Sequence, residues 1–123
     1  MIETSENFDI SLIKGKVLNQ ICIGLYQVVL RFDDDISISC ESKIYIFDDK
    51  TTKKVVFPPN TSCVGILRLL GEKVVSVELN QNENLIITFP SKIVVEIERE
   101  IDGYESFQIW IGENFLVVQG WNE

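Results

Sequence analysis

The 123-residue chain sets 19 acidic against 11 basic residues, a formal net charge of -8, and contains no histidine. That balance argues against direct contact with nucleic acid, whose phosphates the carboxylates would repel, and leaves solubility or a positively charged protein partner as what the acidity serves. A hydrophobic share of 46% is that of a globular protein, and a chain of this length buries roughly two thirds of its unfolded surface without staples, so a single domain spanning 1–123 is expected.

In chain order, residues 1–7 read as a polar lead-in, acidic and without the basic and apolar regions of a secretory leader. Phe8, Ile10 and Leu12 alternate with Asp9 and Ser11, the pattern of a short edge strand. Strands are then expected at Val17–Ile23, Tyr26–Phe32, Ile36–Glu41 and Lys43–Phe47, with Gly24 and Asp33-Asp34-Asp35 supplying turns. Lys50 to Lys54 reads as a polar loop, the one locally basic spot. Pro58-Pro59-Asn60-Thr61-Ser62 stops the preceding chain and offers helix caps. Cys63, Ile66, Leu67 and Leu70 follow at helical spacing, with Gly71 where a left-handed cap would sit, so a short helix near 62–70 is expected. A second series of strands reads as Val74–Leu79, Asn84–Phe89, Ile93–Arg99, Ser106–Ile111 and Phe115–Gln119, with Trp121 tacking down the last.

The two series are copies. Lys16/Lys73, Val17/Val74, Leu30/Ile87, Phe32/Phe89, Ile36/Ile93, Ile38/Val95 and Glu41/Glu98 keep a constant offset of 57. A period of two between short turns has no good helical solution, so the fold class is mainly β. It is expected as an antiparallel sandwich or half-open barrel of two similar meanders, about 16–47 and 73–111, joined by the helix.

Chemistry is sparse. Without histidine, the commonest general base and the usual serine or cysteine triads are missing. The carboxylates fall mostly in turns or on polar strand faces, so no enzyme activity, catalytic residue or cofactor is expected. Cys22, Cys40 and Cys63 are an odd number at wide spacing, fitting neither a disulfide framework nor a zinc site. Cys40 shares parity with Ile36 and Ile38 and belongs in the core. With no apolar run of membrane-spanning length, a reduced, cytoplasmic location without membrane contact is expected. Asp33-Asp34-Asp35 could suggest a hard cation, but its internal copy is Pro90-Ser91-Lys92, so the turn reads as connective and no metal is expected.

The distinctive surface feature is a row of like charge. Val95 and Ile97 share one parity, while Glu96, Glu98 and Glu100 share the other, about 7 Å apart if the strand continues. Asp102 and Glu105 extend the row. Trp110 and Gln108 lie opposite the apolar parity of Phe107, Ile109 and Ile111, which makes Trp110 a candidate anchor beside the carboxylates. Glu96, Glu98, Glu100, Asp102, Glu105 and Trp110 together form the candidate partner-binding surface. The competing surface is Asp33–Asp35 with Asp48 and Asp49.

Gly24-Leu25-Tyr26-Gln27-Val28-Val29-Leu30-Arg31-Phe32 with Ile36-Ser37-Ile38-Ser39-Cys40-Glu41, and later Leu69–Val74 and Tyr104-Glu105-Ser106, resemble short bacterial β-domain proteins. Size, acidity and the lack of a catalytic centre resemble the immunity proteins of bacterial contact-dependent growth inhibition and related toxin systems. The resemblance implies a cytoplasmic protein that binds and blocks one toxin domain, often a nuclease. Immunity proteins share no motif, so no functional residues transfer from it. The alternative is a non-catalytic structural or regulatory interaction module, with homo-oligomers formed through an edge strand or an apolar sheet face.

Overall fold

The computed structural model describes residues 2–48, 54–57, 61–100 and 105–119. Among these, eleven strands form: β1 (Ile2–Thr4), β2 (Leu18–Ile23), β3 (Val28–Phe32), β4 (Ile36–Cys40), β5 (Ile44–Phe47), β6 (Lys54–Phe57), β7 (Ser76–Leu79), β8 (Leu85–Thr88), β9 (Val94–Ile97), β10 (Glu105–Ile111) and β11 (Asn114–Gln119). They build two antiparallel sheets, a six-stranded one in the order β1-β11-β10-β4-β3-β2 and a five-stranded one in the order β6-β5-β9-β8-β7. The expected β architecture is therefore present as a sandwich. Alternation sets its core: Leu30, Ile38, Phe107 and Ile109 from the first sheet and Ile44, Ile87, Val95 and Ile97 from the second are all buried. Cys40 lies among them, fully buried as its parity predicts.

The internal copy extends to the hydrogen-bond register. Val28 pairs with Cys40 and Leu30 with Ile38. Fifty-seven residues on, Leu85 pairs with Ile97 and Ile87 with Val95. The copies part company after their third strand. Instead of folding back, the chain crosses between layers: β5 pairs with β9 of the second copy, and β10 pairs with β4 of the first. Each three-stranded meander is thus completed by the other copy's hairpin. The copies also touch at a seam, where the amide of Val74 donates to Lys16 O (2.9 Å) and that of Leu18 to Glu72 O (3.0 Å). Gly15 and Gly71 hold φ of 84° and 88° at this seam, a left-handed conformation that glycine enters without a Cβ clash.

Four local expectations are corrected. Residues 8–12 form no strand; Ile10–Ile13 is a 3₁₀ turn, because the Asp9 carboxylate captures the amide and hydroxyl of Ser11 (3.0 and 2.6 Å) and curls the chain. The lead-in supplies the edge strand instead, β1 pairing with β11. Lys54 does not end a loop but opens β6, antiparallel to β5. The helix near 62–70 is present as a 3₁₀ helix, Thr61–Leu69. With three residues per turn, Ile66 and Leu69 stack inward, while Leu67 and Leu70, on the expected α-helical face, are exposed. The expected Pro58–Asn60 stop and Trp121 lie outside the described residues.

Candidate functional site

Both crossovers lie at one end of the sandwich. In the first copy only Ser42 separates Glu41, the last residue beyond β4, from Lys43 before β5. In the second, residues 99–105 fill the same interval: the Glu41 amide donates to Ser106 O and the Glu98 amide to Lys43 O, both at 3.0 Å. The second interval is therefore six residues longer in sequence, and 101–104 within it lie outside the described residues. A buried knot ties the crossovers together. The Ser42 hydroxyl donates to Ser106 O (3.1 Å), the Glu100 amide donates to Ser106 Oγ (3.0 Å), and the Lys43 amide donates to Glu100 Oε1 (3.1 Å). Ser42 and Ser106 are the buried polar residues of the described chain, and each is satisfied by this knot.

Above the knot the carboxylates gather round one phenol. Glu96 is directly opposite Tyr45 on β5 and Ile86 on β8, on the face turned away from the core. Glu96 Oε2 accepts from Asn84 Nδ2 at 3.0 Å. Tyr45, whose outward parity is that expected from Ile44 and Ile46, donates its hydroxyl to Glu98. Partial burial, that hydrogen bond and the negative field of Glu98, Glu100 and Glu96 hold its phenol above the ordinary value of 10.0. Arg99 turns to the neighbouring β7–β8 hairpin, where its guanidinium pairs with Glu83 and its amide donates to Asn84 Oδ1 (2.9 Å). Carboxylates outnumber cations here: Glu41, Glu83, Glu96, Glu98 and Glu100 against Lys43 and Arg99.

The predicted surface is therefore partly assembled and partly divided. Glu96 and Glu98 share the expected outward parity. Glu100 reaches the same group differently, since β9 ends at Ile97 and Glu100 is placed by its contacts to Lys43 and Ser106. Asp102 lies outside the described residues, and Glu105 opens β10. Trp110 does not join them. It stands in the other sheet, on that sheet's outward face, opposite Ser37 and Phe115. Its ring centroid is 5.2 Å from that of Phe115, and its Nε1 donates to Gln108 Oε1 (3.3 Å). Tyr45 and the buried serines are what the sequence reading missed as parts of the site; parity turns Tyr45 outward, but nothing in the sequence sets β5 beside the Glu-bearing β9.

The competing acidic turn is structural. Asp33 accepts from the Val17 amide and from Asn19 Nδ2, both at 3.2 Å, and Asp34 pairs with Lys16. These bonds lock the β3–β4 turn onto the start of β2, at the end of the sandwich opposite the crossovers. Asp49 lies outside the described residues. Among the described residues no group of three or more His, Cys, Asp or Glu is placed to hold a metal ion, and no helix is long and apolar enough to cross a membrane. Comparison with protein-family models, with curated proteins and with solved structures finds no match for this chain.

Proposed function

We propose that this chain is an inhibitory binding protein of the immunity-protein kind, which neutralises a bacterial toxin domain by laying its crossover pole over a basic, substrate-binding groove. A nuclease is the target class that suits it best, because carboxylates would meet the lysines and arginines that otherwise grip phosphate. The observation that carries this reading is the gathering of Glu96, Glu98 and Glu100 about Tyr45 at the crossover whose connection is six residues longer in the second copy's sequence. The first copy closes the same interval with Ser42 alone, so the fold does not need the longer acidic connection. The net charge of -8 adds long-range attraction for a basic partner.

The test looks for a toxin gene adjacent to that of this chain, then follows binding of the full chain to that toxin domain by stopped flow at several salt concentrations. Glu96→Gln, Glu98→Gln and Glu100→Gln combined keep acceptor oxygens for Asn84, Tyr45 and Lys43 while removing three charges. The association rate is expected to fall about tenfold or more at low salt and its salt dependence to flatten, with the circular dichroism spectrum unchanged. An unchanged rate and salt slope would show the glutamates to be a solvated face.

A further inference from the structure

Each sheet has two outer strands, and three of these four carry charge: Glu3 in β1, Lys54 in β6 and Glu78 in β7. The fourth, β2 (Leu18-Asn19-Gln20-Ile21-Cys22-Ile23), carries none, and no charged residue occurs between Lys16 and Arg31. Proteins blunt sheet edges with charge, proline, bulges or short strands, because an open row of amides and carbonyls invites pairing. The internal copy shows this protection at work, since the equivalent β7 is four residues long and holds Glu78. In β2 the register shift is confined to the start, between Leu18 and Gln20, and the edge beyond is regular.

The backbone groups available there follow from the ladder. The Gly24 amide bonds Gln27 O at 2.8 Å across the hairpin. Counting back by twos, Cys22–Val29 is hydrogen-bonded, so the N–H and C=O groups of Ile21 and Ile23 point to an edge that is open among the described residues. Leu18 is already engaged, through Glu72 O and the Gly71 amide, so the open stretch begins after it. The same edge ends in Ile23, exposed at 39%, followed by the two most exposed large apolar side chains among the described residues, Leu25 at 72% and Tyr26 at 80%. The corresponding hairpin of the second copy is Gln81-Asn82-Glu83, so a turn here does not require apolar residues.

We propose that β2 is a homodimerisation edge, pairing antiparallel with β2 of a second copy to join two six-stranded sheets into one. A second copy fits because the strand is self-complementary. Centred on Cys22, the register sets Ile21 of each copy against Ile23 of the other, so each isoleucine exchanges both outward backbone bonds and the apolar side chains face one another. No like charges meet, as they would at β1, β6 or β7 in a chain of this acidity. The same register covers the exposed Ile23, while Leu25 and Tyr26, the two turn residues between Gly24 and Gln27, stand at the end of the joined edge. Cys22 and its mate become a non-hydrogen-bonded pair with Cα atoms about 4.5 Å apart, within reach of a disulfide. The dimer leaves the acidic pole's function open and is independent of it.

The experiment is sedimentation velocity of the full chain over a dilution series, with mild diamide oxidation in parallel. The expected result is a concentration-dependent shift from 14.1 kDa towards twice that mass. Diamide takes up the two electrons and two protons released as the paired thiols join, giving a covalent dimer that Cys63→Ser retains and Cys22→Ser abolishes; Cys40 is fully buried and does not contribute. Cys22→Lys, which sets two ammonium groups face to face, should leave a monomer, while Ser76→Lys on β7 should leave the dimer intact. The proposal is overturned by a monomer at every concentration, by a dimer that survives Cys22→Lys, or by covalent dimers that require Cys63. Should Cys22→Lys not fold, the oxidation series on the wild-type, Cys22→Ser and Cys63→Ser chains decides alone.

Discussion

At the scale of single residues, the most perturbed group is one with no role in the proposed interface. Cys40 is 0% exposed, its Sγ 3.2 Å from Ser42 O, and burial pushes its thiol up to about 12 against an ordinary 9.0, the Ser42 contacts only partly opposing this. The sign of the pH effect follows. Below about pH 9 the thiol is protonated in folded and unfolded chains alike, and the folded state keeps its full stability. As pH rises towards about 12 the unfolded chain ionises first, and stability is lost, by roughly 4 kcal/mol across the window. Urea midpoints measured at rising pH should therefore fall in the wild type and fall less in Cys40→Ala. Cys40→Ala starts lower because of its cavity and keeps the part due to Tyr45, whose raised phenol acts in the same direction above about pH 10. Equal slopes in both proteins would place the alkaline loss elsewhere.

Single residues also separate the two copies of the turn that follows each Phe. Asp35 and Lys92 occupy equivalent positions with φ of 60° and 67°. Asp tolerates the left-handed region through its short polar side chain, whereas Lys meets the ordinary Cβ clash. Lys92→Gly is accordingly expected to stabilise by about 0.5–1 kcal/mol, and Asp35→Gly by less, in paired denaturation curves. A Lys92→Gly protein no more stable than wild type would mean that Lys92 gains from its surroundings what its backbone loses.

At the scale of elements, strands were legible wherever alternation was uninterrupted, as in Ile36-Ser37-Ile38-Ser39-Cys40, because only one register buries that face. β1 was hidden by its brevity, and β6 because Val55-Val56-Phe57 does not alternate. The Phe8–Leu12 alternation was real but outweighed by the Asp9 cap. Hairpin exchange left no mark in the sequence at all. Whether β5 returned to β4 or crossed to β9, Ile44 and Ile46 would face the core, so parity cannot choose between the two. That ambiguity is also why Trp110 was misplaced: had β10 stayed beside β9, Trp110 and the glutamates would share one outward face. Glu96 and Glu98 survive as a pair because Glu96 lies on β9 and Glu98 directly past its end, so no change of partner strand can divide them.

At the scale of the molecule, the exchange makes neither copy self-sufficient. β2, β3 and β4 form a sheet only with β10 and β11, and β7, β8 and β9 only with β5 and β6. Opening one copy would strip the other sheet of its hairpin and expose a core to which both layers contribute Ile and Phe side chains at 0–4% exposure. Repeat proteins whose units contact only neighbours unravel unit by unit, but here every unit contacts its counterpart twice, so unfolding should be a single cooperative transition. Native-state hydrogen exchange gives the sharpest test. The slowest amides of β3 in the first copy and β8 in the second, such as those of Leu30 and Ile87, should report the same opening free energy and the same denaturant dependence. Distinct free energies for the two strands would mean that the copies retain separate stability despite the exchange. Coincident values would tie the crossover pole directly to global stability, since Ser42, Lys43, Glu100 and Ser106 are where both exchanged hairpins leave their parent meanders.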